Sequence, residues 1–252
     1  GFPLPTALAQ DFCKRFADLH GVRYVLPLVN GTVAITAALQ AAGIGFGDEV
    51  IVPAYTWDGT ATAALAMGAV PVFADIDPDT YCLDPESVRR AITPRTKAIV
   101  PVHLAMRFTD MDALGAVAAE HGLKIIEDCA HAHGGAYKGR GAGAIGDLGC
   151  FSLQESKLMT AGEGGLVTTN SLEYYEALQT VVNCGRASLT DQYGRRMIGL
   201  NQRMPASPAM INTTSTMPEM KMRLVCGGRC VPKTDQPEIT RKVKSPSISS
   251  RR

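Results

Sequence analysis

The stretch from Lys97 to Ala130, KAIVPVHLAMRFTDMDALGAVAAEHGLKIIEDCA, decides the architecture. Its opening run, KAIVPVH, has the length and apolar centre of a buried strand. The segment DMDALGAVAAEHG reads as a helix, and LKIIEDCA returns to a strand. Strand, helix and strand in that order form the crossover unit of a parallel sheet.

The same alternation extends outward. RYVLPLVNGT (23–32) is a strand entering a glycine turn, and VAITAALQAAG (33–43) is a helix stopped at Gly43. EVIVPAYT (49–56) and VPVFADID (70–77) are strands on either side of the alanine-rich TATAALAMG (60–68). DPESVRRAI (84–92) starts a helix with Asp84 as cap and Pro85 at the first helical position. Strands that are apolar throughout, and not alternating, predict an α/β fold: a mostly parallel sheet with helices on both faces. Ligands of such sheets gather at the carboxyl ends of the strands. There the chain carries Asn30, Gly31 and Thr32; Thr56 and Trp57; His103; Asp128 and His131; and Ser152 with Lys157.

The 252 residues are 46% hydrophobic with a formal net charge of +1, enough for the core of one large domain or two small ones. No run reaches the roughly 18 apolar residues of a membrane span, and GFPLPTALAQDF at the amino end lacks a signal-peptide pattern. The expectation is a cytoplasmic protein that does not enter membranes. Seven scattered cysteines show neither zinc-type pairing nor the density of a disulfide scaffold, so they read as reduced thiols. Residues 1–204 read as one folded domain. From Pro205 to Arg252 the chain changes character: nine basic residues stand against three acidic ones, with no Phe, Tyr or Trp. That segment reads as a poorly ordered basic tail, and without interleaved aromatics it does not predict nucleic-acid binding.

The strand-end residues form a particular inventory. Gly31 allows close backbone approach and Thr32 offers a hydroxyl at a helix amino end, which suits a phosphate or an ordinary helix cap. Asp128, ending a buried strand, requires a cation, a protonated pyridine nitrogen for example, or a capping role. Trp57, the only tryptophan, suits core packing or stacking on a planar ring. Lys157 lies in CFSLQESKLMTAGEGG (150–165), where a lone lysine ordinarily solvates a turn. Beside a phosphate anchor, an aromatic plate and a buried carboxylate, its amine suits Schiff-base chemistry with an aldehyde cofactor, pyridoxal 5'-phosphate. Two other motifs are weaker. GAGAIG (141–146) matches the dinucleotide glycine pattern but leads into a strand instead of a helix, and the HAH of His131 and His133 lacks a further metal ligand at regular spacing.

FSLQESKLMTAGEGG, EDCAHAHGG, PAYTWDGTATAAL, PVHLA and DMDAL together resemble the DegT/StrS-type pyridoxal-phosphate aminotransferases of keto sugars and cyclitols, over about Phe12 to Met204. The wording around Lys157 and NCGR (183–186) is similar to the branch of inosose aminotransferases and aminohydroxybenzoate synthase. The resemblance implies a fold-type I large domain, with the small carboxyl-terminal domain largely missing. It implies Lys157 as the residue bonded to the cofactor, Asp128 at the pyridine nitrogen, His131 near the phenolic oxygen and Trp57 on the ring. The resemblance also implies that Gly31, Thr32 and Ser152 hold the phosphate, joined in a homodimer by Asn201 of the neighbouring subunit. It further implies glutamate or glutamine as amino donor and a keto sugar or keto cyclitol as acceptor, in amino-sugar or antibiotic biosynthesis. Asn30 stands where the family has serine, and Met106 where it often has glycine. The change at Pro205 motivates the expectation of a frameshifted or truncated gene. A catalytically inactive relic and a dehydratase-type relative stay open beside the transferase, although dehydratases of this kind carry histidine where Lys157 stands.

Overall fold

The computed structural model describes residues 7–186, 197 and 199–204. Its elements, in chain order, are α1 (Ala7–His20), β1 (Tyr24–Leu28), α2 (Gly31–Ala41), β2 (Glu49–Pro53), α3 (Gly59–Leu65), β3 (Val70–Ala74), α4 (Pro85–Ala91), β4 (Thr96–Ile99), α5 (Met111–His121), β5 (Lys124–Asp128), β6 (Ala136–Tyr137), β7 (Arg140–Gly141), β8 (Leu148–Ser152), β9 (Gly165–Thr169) and α6 (Leu172–Val182). Side-chain caps fix several starts: Asp84 accepts from the amides of Glu86 and Ser87, and Asp110 from those of Asp112 and Ala113. Helix α5 stops at Gly122, which takes the left-handed conformation that a glycine adopts without steric cost.

Seven strands form one sheet in the order β1-β9-β8-β5-β4-β2-β3. β2, β3, β4, β5 and β8 pair in parallel; β9 alone runs against both its neighbours, β8 and β1. The sheet is therefore mostly parallel, as the strand composition predicts. The antiparallel step has a use. β8 and β9 pair from Gly149↔Thr168 to Ser152↔Gly165, so the connecting loop, which carries Lys157, lies at the carboxyl end of β8. β5 pairs with β8 in register Asp128↔Cys150, which brings Asp128 to the same end.

Period-two alternation assigns the strand side chains to opposite faces. Val50, Val52, Ile126, Leu148, Cys150 and Val167 pack with α2, α3 and α6 residues such as Leu39, Ala64 and Val181. Ile51, Ile99 and Ile125 pack on the other face with Val88 of α4 and Leu114 and Val117 of α5. Near β1, Phe151 and Leu166 meet Phe12 and Phe16 of α1. Burying each such side chain contributes about 1.5–3 kcal/mol. β3 departs from the all-buried expectation: as an edge strand it leaves Val70 and Phe73 about half exposed.

No helix among the described residues is long and apolar enough to cross a membrane. Cys82, Cys129 and Cys150 are buried free thiols, and Cys13 and Cys184 are half-buried ones. The segment 205–252, with Cys226 and Cys230, lies outside the described residues.

Candidate active site

At the carboxyl ends of β5 and β8 a cavity of about 430 Å³ opens between the amino ends of α2 and α3. It is lined by Gly31, Thr32, Trp57, Asp128, His131, Ser152 and Lys157. Seven sequence-predicted residues thus share one cavity. Asn201 does not line it; it is exposed and pairs by a backbone bridge with Asn183. His103, also expected at a strand end, is fully buried behind the cavity.

The wall suited to an anion is built by close approach. A Cβ on Gly31 would lie 2.8 Å from the Cβ of Ser152, so only glycine lets the start of α2 lie against β8. Gly165 makes the equivalent concession under the Asn30 carbonyl, which a Cβ would overlap. Asn30 caps α2: its Oδ1 accepts from the Val33 amide at 2.8 Å. The capping is thereby done by Asn30, and the positive end of α2 faces the cavity beside the side chains of Thr32 and Ser152.

Trp57 is 76% exposed, so the sole tryptophan is a cavity wall and not core. Asp128 is 6% exposed. Its Oδ2 accepts from the Thr60 hydroxyl at 2.8 Å and its Oδ1 from the Ala130 amide at 3.1 Å. Lys157 Nζ donates to His131 Nε2 at 3.0 Å. Burial, together with the charge of Lys157, holds the His131 imidazole below its usual range against the opposing pull of Asp128. A neutral ring is the form that accepts from an ammonium group.

The residue next to Asp128 faces the other way. Glu127 is fully buried and receives the amides of Gly143, Ile145 and Gly146 at 3.1, 2.8 and 2.7 Å, with His103 Nε2 at 2.9 Å. Burial alone would raise its carboxyl; the bonds from His103 and from those amides outweigh it, and the group is held below its usual range. The GAGAIG turn therefore cradles an internal carboxylate and not a dinucleotide. Of the HAH pair, His131 serves Lys157, while His133 is fully buried with no hydrogen-bond partner for either ring nitrogen among the described residues.

Sequence reasoning missed Thr60, which reads as one more small residue of an alanine-rich helix, and Glu127, overshadowed by the aspartate beside it. Gln154, Ser156 and Glu163, which complete the polar rim near Lys157, lie inside the quoted lysine segment without a distinguishing signal.

A helix start, an exposed tryptophan, a buried carboxylate and a lysine share one cavity at the carboxyl edge of a mostly parallel sheet, and the fold is that of the fold-type I pyridoxal-phosphate aminotransferases. The chain belongs to the DegT/DnrJ/EryC1/StrS aminotransferase family, whose model matches residues 7–217. That match extends beyond Met204, the limit of the resemblance carried by the motifs. The chain is 49% identical over 177 residues to L-glutamine:2-deoxy-scyllo-inosose aminotransferase of Streptoalloteichus tenebrarius, covering 70% of this chain and 42% of that protein. The crystal structure of 3-amino-5-hydroxybenzoic acid synthase superposes with a TM-score of 0.80 at 41% identity, over 84% of this chain and 56% of that one. The NtdA protein of Bacillus subtilis, solved with bound cofactor PMP, gives a TM-score of 0.78 at 32% identity over 85% and 48%. The chain spans about half the length of the curated relatives it matches.

Proposed function

We propose that this domain holds pyridoxal 5'-phosphate and serves an aminotransferase that moves an amino group from glutamine or glutamate to the ketone of a polyol ring, a keto cyclitol or keto sugar. The observation that carries this reading is the shared cavity of Lys157, Asp128, Trp57 and the Gly31–Ser152 cradle. The donor set fits the cofactor: Thr32, Ser152 and the start of α2 suit its phosphate, Trp57 its ring, Asp128 its pyridine nitrogen, and Lys157 its aldehyde carbon. When bound, that group supplies an aldehyde able to take up amines and a ring that spreads the negative charge of a deprotonated carbon.

The chain's own residues supply the rest. Asp128 holds a proton on the pyridine nitrogen, and its burial strengthens that pairing. The Lys157 amine, which would hold the cofactor's aldehyde carbon, would take the proton from the donor's α-carbon as a base and return one as an acid. His131 keeps Nζ oriented by accepting from it. The relatives named for glutamine and inosose support the donor and the cyclitol acceptor.

A homodimer is part of this reading. Trp57 stands 76% exposed on the cavity wall, and Asn201 lies away from the cavity of its own chain, where a second subunit's site is its proposed place. The free thiols suit a reducing compartment, so we place the protein in the cytoplasm. The test is borohydride reduction of the protein mixed with pyridoxal phosphate, with peptide mass mapping of the product. The cofactor mass is expected on Lys157 and is expected to vanish in Lys157→Ala. Labelling spread over surface lysines, unchanged in that variant, would overturn the proposal.

A further inference from the structure

Asp128 has a side-chain neighbour that no motif announces. Thr60, on the first turn of α3, is 1% exposed, and its hydroxyl donates to Asp128 Oδ2 at 2.8 Å. A second hydroxyl stands behind it: Thr56 Oγ1 lies 3.1 Å from Thr60 Oγ1 and lines the cavity. Thr56, Thr60 and Asp128, all on the cavity wall, thus form one hydrogen-bonded chain that ends on the carboxylate. A buried hydroxyl without a partner is costly, and a threonine buried for shape alone would be replaceable by valine. The hydroxyl is directed at the carboxylate.

We propose that Thr60 is a positioning residue for Asp128, acting through the Thr56–Thr60–Asp128 line to hold the carboxylate toward the ring nitrogen of a bound pyridine cofactor. The backbone of Asp128 is already fixed, since its amide donates to Pro101 and its carbonyl accepts from His103. The side chain still has torsional freedom, which the Ala130 amide restrains on Oδ1 and Thr60 restrains on Oδ2. The proposal rests on the pyridoxal-phosphate reading of the cavity.

Trp57, the only tryptophan and a wall of the cavity, gives a binding signal independent of turnover. Quenching of its fluorescence measures the affinity of pyridoxal phosphate for wild type, Thr60→Val and Thr60→Ser. The valine variant keeps the shape and loses the hydroxyl; the serine variant keeps the hydroxyl and loses the methyl. Thr60→Val is expected to weaken binding about tenfold, a charge-assisted hydrogen bond's worth, with Thr60→Ser close to wild type. A packing role predicts the reverse order and would overturn the proposal. The same titrations with 1-deazapyridoxal phosphate, whose ring has carbon in place of nitrogen, decide whether the effect passes through Asp128. The valine penalty is expected to disappear there, and an equal penalty for both ligands would count against the assignment. A wild-type protein that binds neither ligand would instead sink the cofactor reading itself, and is told apart by that first titration.

Discussion

The two histidines behind the cavity make acid stability a measurable consequence of the packing. His20 is 1% exposed: its Nδ1–H donates to the Ala142 carbonyl at 2.8 Å, and its Nε2 accepts from the Gly134 amide at 3.1 Å. It stacks on Phe16 and meets the edge of Phe151. His133, fully buried, lies 5.5 Å from the Phe151 ring. Burial pushes His20 down to about 4, opposed by the Ala142 bond and the charge of Glu127. His133 is pushed down to about 3 by burial first and then by the nearby His20; the Ser152 backbone opposes this without reaching hydrogen-bond geometry.

Both rings are thus neutral in the folded state and titrate near 6.5 when unfolded, so unfolding takes up protons as pH falls below that value. Their stabilisation is complete above pH 6.5 and is lost progressively toward pH 4 and pH 3. Integrating over the two rings gives a loss of about 2.4 kcal/mol between pH 6 and pH 5, a large fraction of a typical folding free energy. His131, also lowered, adds to the loss in the same direction. Urea unfolding monitored by circular dichroism at pH 7, 6 and 5 reads this as a midpoint shift of about 1 M at constant slope. His133→Leu removes one ring that has no hydrogen-bond partner among the described residues, and is expected to halve the loss. A wild-type loss below about 0.5 kcal/mol, or a variant that loses as much as wild type, would refute the reasoning.

Two further substitutions test the supporting structure. Glu127→Gln sets an NH2 group among the amides of Gly143, Ile145 and Gly146 and is expected to cost about 2–4 kcal/mol, with faster amide exchange in residues 141–146. Thermal melts and hydrogen–deuterium exchange measure both; protection unchanged in that turn would show that the carboxylate does not hold it. Gly31→Ala places a Cβ 2.8 Å from that of Ser152 and is expected to cost about 1–3 kcal/mol. If the cradle holds phosphate, it should weaken pyridoxal phosphate about tenfold while leaving pyridoxal, which has no phosphate, nearly unaffected.

Much of the fold and of the site is legible in local patterns, because local patterns obey local physics. The Lys97–Ala130 unit folds as β4, α5 and β5, and Asp84 with Pro85 opens α4 where the capping rule sets it. The strand-end polar residues converge because parallel strands present their carboxyl ends on one side. Strand order is not legible: β1 lies at one edge beside β9, far from β2 in the sheet, a choice made by long-range pairing that composition does not encode. Nor is the antiparallel β9, whose five residues GLVTT resemble those of any buried strand. Thr60 escapes because its partner is 68 residues away and its own neighbours are Gly59 and Ala61, small residues of an alanine-rich helix. The glycine pattern of 141–146 is separated from nucleotide binding by the strand β8 that comes after it, where a dinucleotide site has a helix, but its carboxylate ligand emerges only in three dimensions.

The adjacent acids Glu127 and Asp128 show how the count of donors divides roles. Successive residues of a strand point to opposite faces, so one chain position separates two different environments. A carboxylate offers about four acceptor sites. Glu127 meets four donors, three of them amides of one turn, and retains nothing with which to bind a ligand. For that reason the cluster of His103, Glu127 and Cys129, whose ligand-type atoms lie within 4.8 Å of one another, does not make a metal site: its acid is already satisfied and burial keeps the Cys129 thiol protonated. Asp128 meets two donors, Thr60 and Ala130, on the wall of a cavity. It retains acceptor capacity on the side that the cavity opens. Lys157, also on the cavity wall, hydrogen-bonds His131. Spare acceptor capacity, and not mere burial, is what sets Asp128 apart from Glu127, whose donors hold the turn that follows.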